Sequence, residues 1–431
     1  MSDVPFLFDA VLFDLDGTLV STELFWVEAA REGARRAFAE LGIERDMPDA
    51  EAWLSMVGLP LARGFELVFA DLEPAARARV MALCVEEEER ALRAGGAALM
   101  PGAREVLSEL RAAGLKLGIA SNCGRGYLQS MLGDLDLGNL VDEARCLDSH
   151  GVHSKSDMIA DLLATFGTRR ALMVGDRSGD AEAAHQNALP HVHLEGPIRP
   201  RAERVECEAR IAALVELPDV LRGRARWIGG ALDALGLGGA SLRTLRCLGV
   251  TGALEADGPD FARDAARLLT ERGREVRVLD ARAFGVPDAA GADDPAGWAD
   301  ELDVERLIAR VLEPHAAGRP VAADDAGGAP LDPDALLVLE GPWLLHPRLR
   351  LFLDRALYLT VPEEVSLTRA AARAAERAAE VLVDLRRRAL PRQRDHEEHC
   401  DPAARADLVL DARNVLGTVP GQNIPLTPPG P

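Results

Sequence analysis

The stretch Val11-Leu12-Phe13-Asp14-Leu15-Asp16-Gly17-Thr18-Leu19-Val20 constrains the fold more than any other part of the chain. An apolar run that stops at two carboxylates one residue apart, and then meets glycine, reads as a buried parallel strand carrying acids to its carboxyl end, where α/β sheets place their sites. Successive strand side chains point to opposite faces. Asp14 and Asp16 therefore reach one site only where the chain leaves strand geometry, and the turn is expected at Gly17.

A chain of 431 residues with 48% hydrophobic content predicts two or three globular domains. The net charge of −21 argues against general binding to nucleic acid or an anionic membrane, and it requires any phosphorylated ligand to be met by a local positive site. All but two of the 49 basic residues are arginine, the exceptions being Lys116 and Lys155. A lysine kept in such a background suggests a task for a compact, orientable ammonium. The six cysteines (Cys84, Cys123, Cys146, Cys207, Cys247, Cys400) form no metal-type pairs, which fits reduced thiols of a cytoplasmic protein. No apolar run has the length of a membrane span.

After the first strand, residues 21–97 place apolar residues at helical spacing (Trp26, Ala30, Ala34, Ala37, Leu41), which predicts an all-helical insertion. Met100-Pro101-Gly102 breaks the chain, and a short helix over 103–113 ends at Gly114. A strand over 115–120 follows and runs into Ser121-Asn122. A helix over 157–166 after Lys155 leads to a strand at 171–174 that ends in Gly175-Asp176-Arg177-Ser178-Gly179-Asp180. Three strands ending in polar residues, each followed by loop and helix, predict a doubly wound parallel sheet with one active rim. Residues 216–244 read as a helix plus flexible connector, including Gly236-Leu237-Gly238-Gly239. A second α/β pattern then has strands at 244–250, 275–279, 335–339 and 355–360 and helices at 260–271 and 363–389. The proline-rich residues 417–431 read as a disordered tail.

The first 215 residues resemble the haloacid dehalogenase (HAD) superfamily, in its phosphatase branch with a helical cap, through Asp14-Leu15-Asp16-Gly17-Thr18, Ser121, Lys155 and Gly175–Asp180 in that order. The resemblance implies a Rossmann-like core from 1–20 and 98–215 and a cap over 21–97. It also implies a phosphoric monoester hydrolase using Mg2+. Asp14 would attack phosphorus to give an aspartyl-phosphate, and Asp16 would act as acid and then base. Ser121, Asn122 and Lys155 would bind phosphate. Asp14, the backbone carbonyl of Asp16, and Asp176 would hold the metal, with Asp180 behind them or ligating through water. Glu23 and Trp26, where the chain enters the cap, are candidates for facing the leaving group. Cys123, His150, His153, His185, His191 and His193 are read as structural or surface residues.

Residues 245–416 resemble a uridine-kinase-type P-loop domain in Leu248–Gly252, Val276–Asp280, Leu337–His346 and Ala406–Asp411. Where such a loop carries Gly-Lys-Ser/Thr, this chain has Ala253-Leu254-Glu255-Ala256-Asp257-Gly258-Pro259-Asp260, and the domain contains no lysine. It is expected to be a pseudokinase domain, serving as a scaffold, as a surface for homo-oligomer formation, or as a nucleoside or sugar pocket. The expected substrate is a small phosphorylated metabolite, first a nucleoside 5′-monophosphate of nucleotide metabolism and next a sugar phosphate. The alternatives are a phosphomutase and a non-catalytic nucleotide-sensing protein.

Overall fold

The computed structural model describes residues 4–196, 203–238, 241–286 and 301–417. The tail expected at 417–431, apart from Gly417, and Gly239 of the expected connector lie outside the described residues. The chain forms two compact units, one of residues 8–221 and one of the remainder.

In the first unit, β1 (Ala10–Phe13), β2 (Lys116–Ser121), β3 (Glu143–Cys146), β4 (Ala171–Gly175), β5 (His191–Leu194) and β6 (Ala209–Ile211) form a sheet in the order β3-β2-β1-β4-β5-β6. Every pairing is parallel. The strand order reverses at β1, so the crevice between β1 and β4 is where such a sheet binds ligand. Phe13 is in register with both Ile119 and Val174, and the Asp14 amide extends the ladder to the Val174 carbonyl at 2.9 Å. One rim thus receives Asp14, Ser121 and Asp176.

Strands β3, β5 and β6 were not apparent in the sequence. Strand β3 is an edge strand with charged Glu143 and Arg145, and β6 has three residues. The two histidines of β5 disguise a wholly buried strand, and neither ring nitrogen of His191 has a hydrogen-bond partner among the described residues. Burial pushes His191 down from 6.5 to about 4. The unfolded chain therefore binds the proton more readily. The stability gained by keeping this ring neutral is complete above about 6.5 and is lost as pH falls toward 4. His191→Leu is expected to lose about 2.5 kcal/mol less than wild type between pH 7.5 and 4.5 in urea unfolding. Equal losses would show that His191 is not an acid-sensitive element.

Between β1 and β2 lie α1 (Trp26–Leu41), α2 (Ala50–Ser55), α3 (Leu61–Val68) and α4 (Pro74–Arg93). The alanine face of α1 is its buried face, with Ala30, Ala34 and Ala37 wholly inaccessible. A Cβ on Gly33 would stand 2.4 Å from the Cys84 Cα, so this glycine sets how closely α1 and α4 approach. Trp53, Phe65 and Phe69 fill the center, with ring centroids 5.5–6.3 Å apart. Helix α5 (Ala103–Ala112) follows and ends at Gly114, which has φ +86. Helices α6 (Arg125–Asp134), α7 (Lys155–Phe166) and α8 (Ser178–Gln186) complete the parts that position the site.

The second unit is a five-stranded parallel sheet, β11-β10-β7-β9-β8, made of β7 (Cys247–Gly252), β8 (Val276–Asp280), β9 (Leu336–Glu340), β10 (Arg355–Thr360) and β11 (Leu408–Asp411). Two features differ from the sequence reading. The helix Leu217–Ala234, expected within a connector, buries Trp227, Ile228 and Leu232 in this unit's core, where Trp227 meets Phe261 edge-on at 5.4 Å. The helix expected over 363–389 breaks at Ala375 (φ +49) and resumes through a π turn, Leu385–Ala389, into Leu390–Cys400. Pro391 lacks the N–H that an α-turn needs, and the looser π turn before it gives its ring room.

Candidate active site

Four of the expected residues meet at the rim of the first sheet. Asp14 follows the last residue of β1. Lys155 opens α7, whose N-cap Ser154 accepts from the Asp157 amide at 3.1 Å and so fixes the first turn. The Lys155 ammonium donates to Asp14 Oδ1 at 2.8 Å and to Asp180 Oδ1 at 2.6 Å. Asp180 lies in the first turn of α8, and its other oxygen accepts the Arg177 amide at 3.0 Å. Asp176, just past β4, accepts from the Thr18 hydroxyl at 3.3 Å. All four side chains are buried.

The crowding imposes local geometry. Gly17 has φ +78, and a Cβ there would stand 2.5 Å from Asp176 Oδ2, so the turn needs glycine for both conformation and space. Asp14, Asp176 and Asp180 each offer a ligand atom, and these atoms lie within 4.8 Å of one another. Asp14 Oδ2 and Asp176 Oδ2 are buried without a hydrogen-bond partner among the described residues.

The electrostatics follow from three acids facing one ammonium. Burial and then Asp180 hold the Asp14 carboxyl up to about 7 against the opposing pull of Lys155. Burial and Asp14 raise Asp176 well above the carboxylate range. Burial works against the charge of Lys155, but Asp14 and Asp180 outweigh it and hold the ammonium charged. An all-oxygen donor set with two free buried oxygens and surplus negative charge fits a hard divalent cation such as Mg2+.

Asp16 stands apart from this group. Its Oδ1 accepts from the Thr22 hydroxyl at 2.7 Å and from the Tyr127 hydroxyl at 2.5 Å. Burial raises its pKa, while those two hydrogen bonds oppose the rise. Asp16 lines an open pocket of about 610 Å³, solvent at its mouth included, together with Ser121, Asn122, Trp26, Tyr127 and Glu88. Trp26 is held by a hydrogen bond from its indole to the Trp53 carbonyl at 3.1 Å. Glu23 is not among the lining residues, and one of its oxygens is buried without a hydrogen-bond partner among the described residues.

The segment that ends α2 forms another wall of the pocket. Asn122 donates to the Gly58 carbonyl at 2.9 Å, and Arg177 donates to the Val57 carbonyl while pairing with Glu203 at 2.9 Å. Sequence reasoning missed Thr22, Tyr127 and Glu88. Tyr127 is one of only two tyrosines, a weak signal, and Glu88 lies unmarked in the run Glu86-Glu87-Glu88-Glu89.

Residues 8–187 match the family model for haloacid dehalogenase-like hydrolase. A phosphoglycolate phosphatase from Synechococcus elongatus is 30% identical over 182 residues, which is 42% of this chain and 80% of that protein. An uncharacterized protein from Lacticaseibacillus casei is 26% identical over 214 residues, or 49% of this chain and 95% of that protein. Among solved structures, a predicted phosphoglycolate phosphatase from Haemophilus somnus aligns with a TM-score of 0.45 and 18% identity, covering 50% of this chain and 98% of that one. With 30% identity over four-fifths of a curated relative, and the family model matched over residues 8–187, the chain belongs to the haloacid dehalogenase-like hydrolase family.

Proposed function

We propose that the chain is a Mg2+-dependent phosphomonoesterase that works through an aspartyl-phosphate on Asp14 and acts on a small phosphorylated metabolite. The observation that carries this reading is the division of labour between two carboxylates. Asp14 has one oxygen held by Lys155 and the other free, whereas Asp16 is held by hydroxyls at the wall of a pocket. In this reading the free oxygen of Asp14 forms a bond to phosphorus as the ester P–O bond breaks, and Asp16 gives its proton to the departing alcohol oxygen. Asp16 then takes a proton from water, whose oxygen attacks the phosphoryl group and releases orthophosphate and Asp14. Burial raises the pKa of Asp16, a direction that favours the acid form used in the first step.

Ser121, Asn122 and Lys155 are assigned to the phosphoryl oxygens, and Tyr127 and Thr22 position Asp16. Mg2+ held by Asp14, Asp176 and Asp180 would supply positive charge to the carboxylates and to the phosphoryl group. The helices of residues 21–97 act in this reading as the cap that selects the leaving group.

In the second unit, a P-loop-like domain without phosphoryl transfer is the companion proposal. The Leu254 amide is occupied by Gln393 at 2.8 Å, and Glu255 is paired with Arg373. Arg224 bridges Asp257 and Asp264 at 2.8 and 2.6 Å. An acidic loop already committed to Gln393, Arg373 and Arg224 from other parts of the unit is a poor phosphate cradle.

The test is orthophosphate release from a panel of glycolate, sugar and nucleoside 5′-phosphates, in Mg2+ and after chelation. Cation-dependent release from at least one ester is expected. Release from none, or release insensitive to the chelator, would overturn the reading.

A further inference from the structure

The wall of the leaving-group pocket has a pronounced charge asymmetry. Helix α4 carries four consecutive glutamates. Glu86 and Glu87 pair with Arg36, Glu87 also pairs with Arg90, and Glu89 pairs with Arg93. Glu88 alone of the four faces the pocket, and it has no ion pair or hydrogen bond among the described residues. Its neighbours on that wall are the aromatic Trp26 and Tyr127, the apolar Met56 and Leu59, and Asp16, with no arginine, lysine or histidine lining the pocket among the described residues. The nearby cations are committed elsewhere, Lys155 to Asp14 and Asp180, and Arg177 to Glu203 and the Val57 carbonyl.

A partly buried carboxyl left unpaired, in a chain that otherwise supplies arginine so freely, stays neutral until a cation enters beside it, and a ligand ammonium is a partner that would let it ionise. Burial and the charge of Asp16 push the Glu88 carboxyl up to about 8, the direction expected when the partner is absent. Aromatic faces beside such a carboxylate favour an alkylammonium as well. A carboxylate-bearing leaving group would meet two acids and no positive side chain.

Resting on the phosphomonoesterase reading above, we propose that Glu88 is a specificity-determining residue and that the substrate is the phosphate ester of an ammonium-bearing alcohol. In this arrangement the phosphoryl group lies toward Ser121 and Lys155, and the ammonium lies against Glu88 and Trp26. An ester whose alcohol carries a carboxylate is disfavoured.

The test compares three esters of similar size, 2-aminoethyl phosphate, 2-hydroxyethyl phosphate and carboxymethyl phosphate (phosphoglycolate), by orthophosphate release in Mg2+. The expected order of kcat/KM is aminoethyl, hydroxyethyl, carboxymethyl, with steps of about tenfold. Glu88→Gln is expected to bring the aminoethyl-to-hydroxyethyl ratio close to one and to raise carboxymethyl relative to hydroxyethyl. A wild-type preference for the carboxymethyl ester, or ratios unmoved by Glu88→Gln, would overturn this assignment while leaving the phosphatase reading intact. Calorimetric titration of Asp14→Asn with the aminoethyl and hydroxyethyl esters, alone and combined with Glu88→Gln, separates the two failures. An ammonium preference in binding that Glu88→Gln abolishes, with no ester turned over by wild type, sustains the pocket assignment and sinks the phosphatase. No preference in either binding or turnover sinks the assignment.

Discussion

Asp14→Asn is expected to make the metal-free protein more stable than wild type at pH 8 while lowering orthophosphate release by about four orders of magnitude or more. The stability gain follows from what Asp14 costs when no cation is present. Its carboxyl sits at about 7 in the folded protein against 3.8 as an ordinary aspartate, because burial and Asp180 disfavour its charge more than Lys155 favours it. An acid whose folded pKa is raised gives its full stability below about 4 and loses it as pH rises through 7. Three units correspond to about 4 kcal/mol at pH 8, an upper bound because the site relaxes. Asparagine keeps an oxygen to accept from Lys155 and removes the charge. The difference is expected to vanish at pH 4 and, if the proposed Mg2+ site is right, to shrink or reverse in Mg2+, because a cation bound by the wild-type carboxylates would stabilise that fold. Urea unfolding at pH 4 and pH 8, with EDTA or Mg2+, measures this. A variant less stable than wild type in EDTA at pH 8 would contradict the surplus of negative charge, and release within about tenfold of wild type would remove Asp14 from the nucleophile's role.

The same surplus explains why much of the site was legible in the sequence. The acids that cluster at the rim come from strand ends and the first turns of the following helices, positions that the apolar-run-then-polar pattern marks directly. Asp14, Asp176, Asp180 and Lys155 are brought together because β1 and β4 are neighbours in the sheet and α7 and α8 start at its carboxyl edge. Tyr127, Thr22 and Glu88 had no such marker. Each reaches the pocket through the packing of a helix or turn whose sequence shows only helical spacing. The fold was hidden where polarity and burial part company. Strand β5 is buried yet carries two histidines, and β3 is an edge strand whose charged residues imitate a loop. The helix Leu217–Ala234 sits in glycine- and alanine-rich text that resembles a linker, and only its packing around Trp227 shows that it belongs to a core.

Lys155 carries the other large expected effect, and the composition sharpens it. Two lysines survive among 49 basic residues, and their surroundings differ. Lys116 lies at the exposed start of β2, 3.5 Å from Asp142, where an arginine would serve as well. Lys155 is buried, and one nitrogen atom bridges two carboxylates at 2.8 and 2.6 Å. Lys155→Met leaves Asp14 and Asp180 buried without their shared donor, so it is expected to lower the unfolding free energy by about 3–5 kcal/mol at pH 8 in EDTA. Lys155→Arg keeps the charge but spreads it over a planar fork where a single nitrogen now bridges both acids, so it is expected to remain destabilised and to release orthophosphate about a hundredfold more slowly. Lys116→Arg, the matched control, is expected to change neither quantity. Denaturant midpoints and initial rates for the three variants decide the matter. If Lys155→Arg matched wild type in both, any cation would do at this position, and the retained lysine would carry no information about the site.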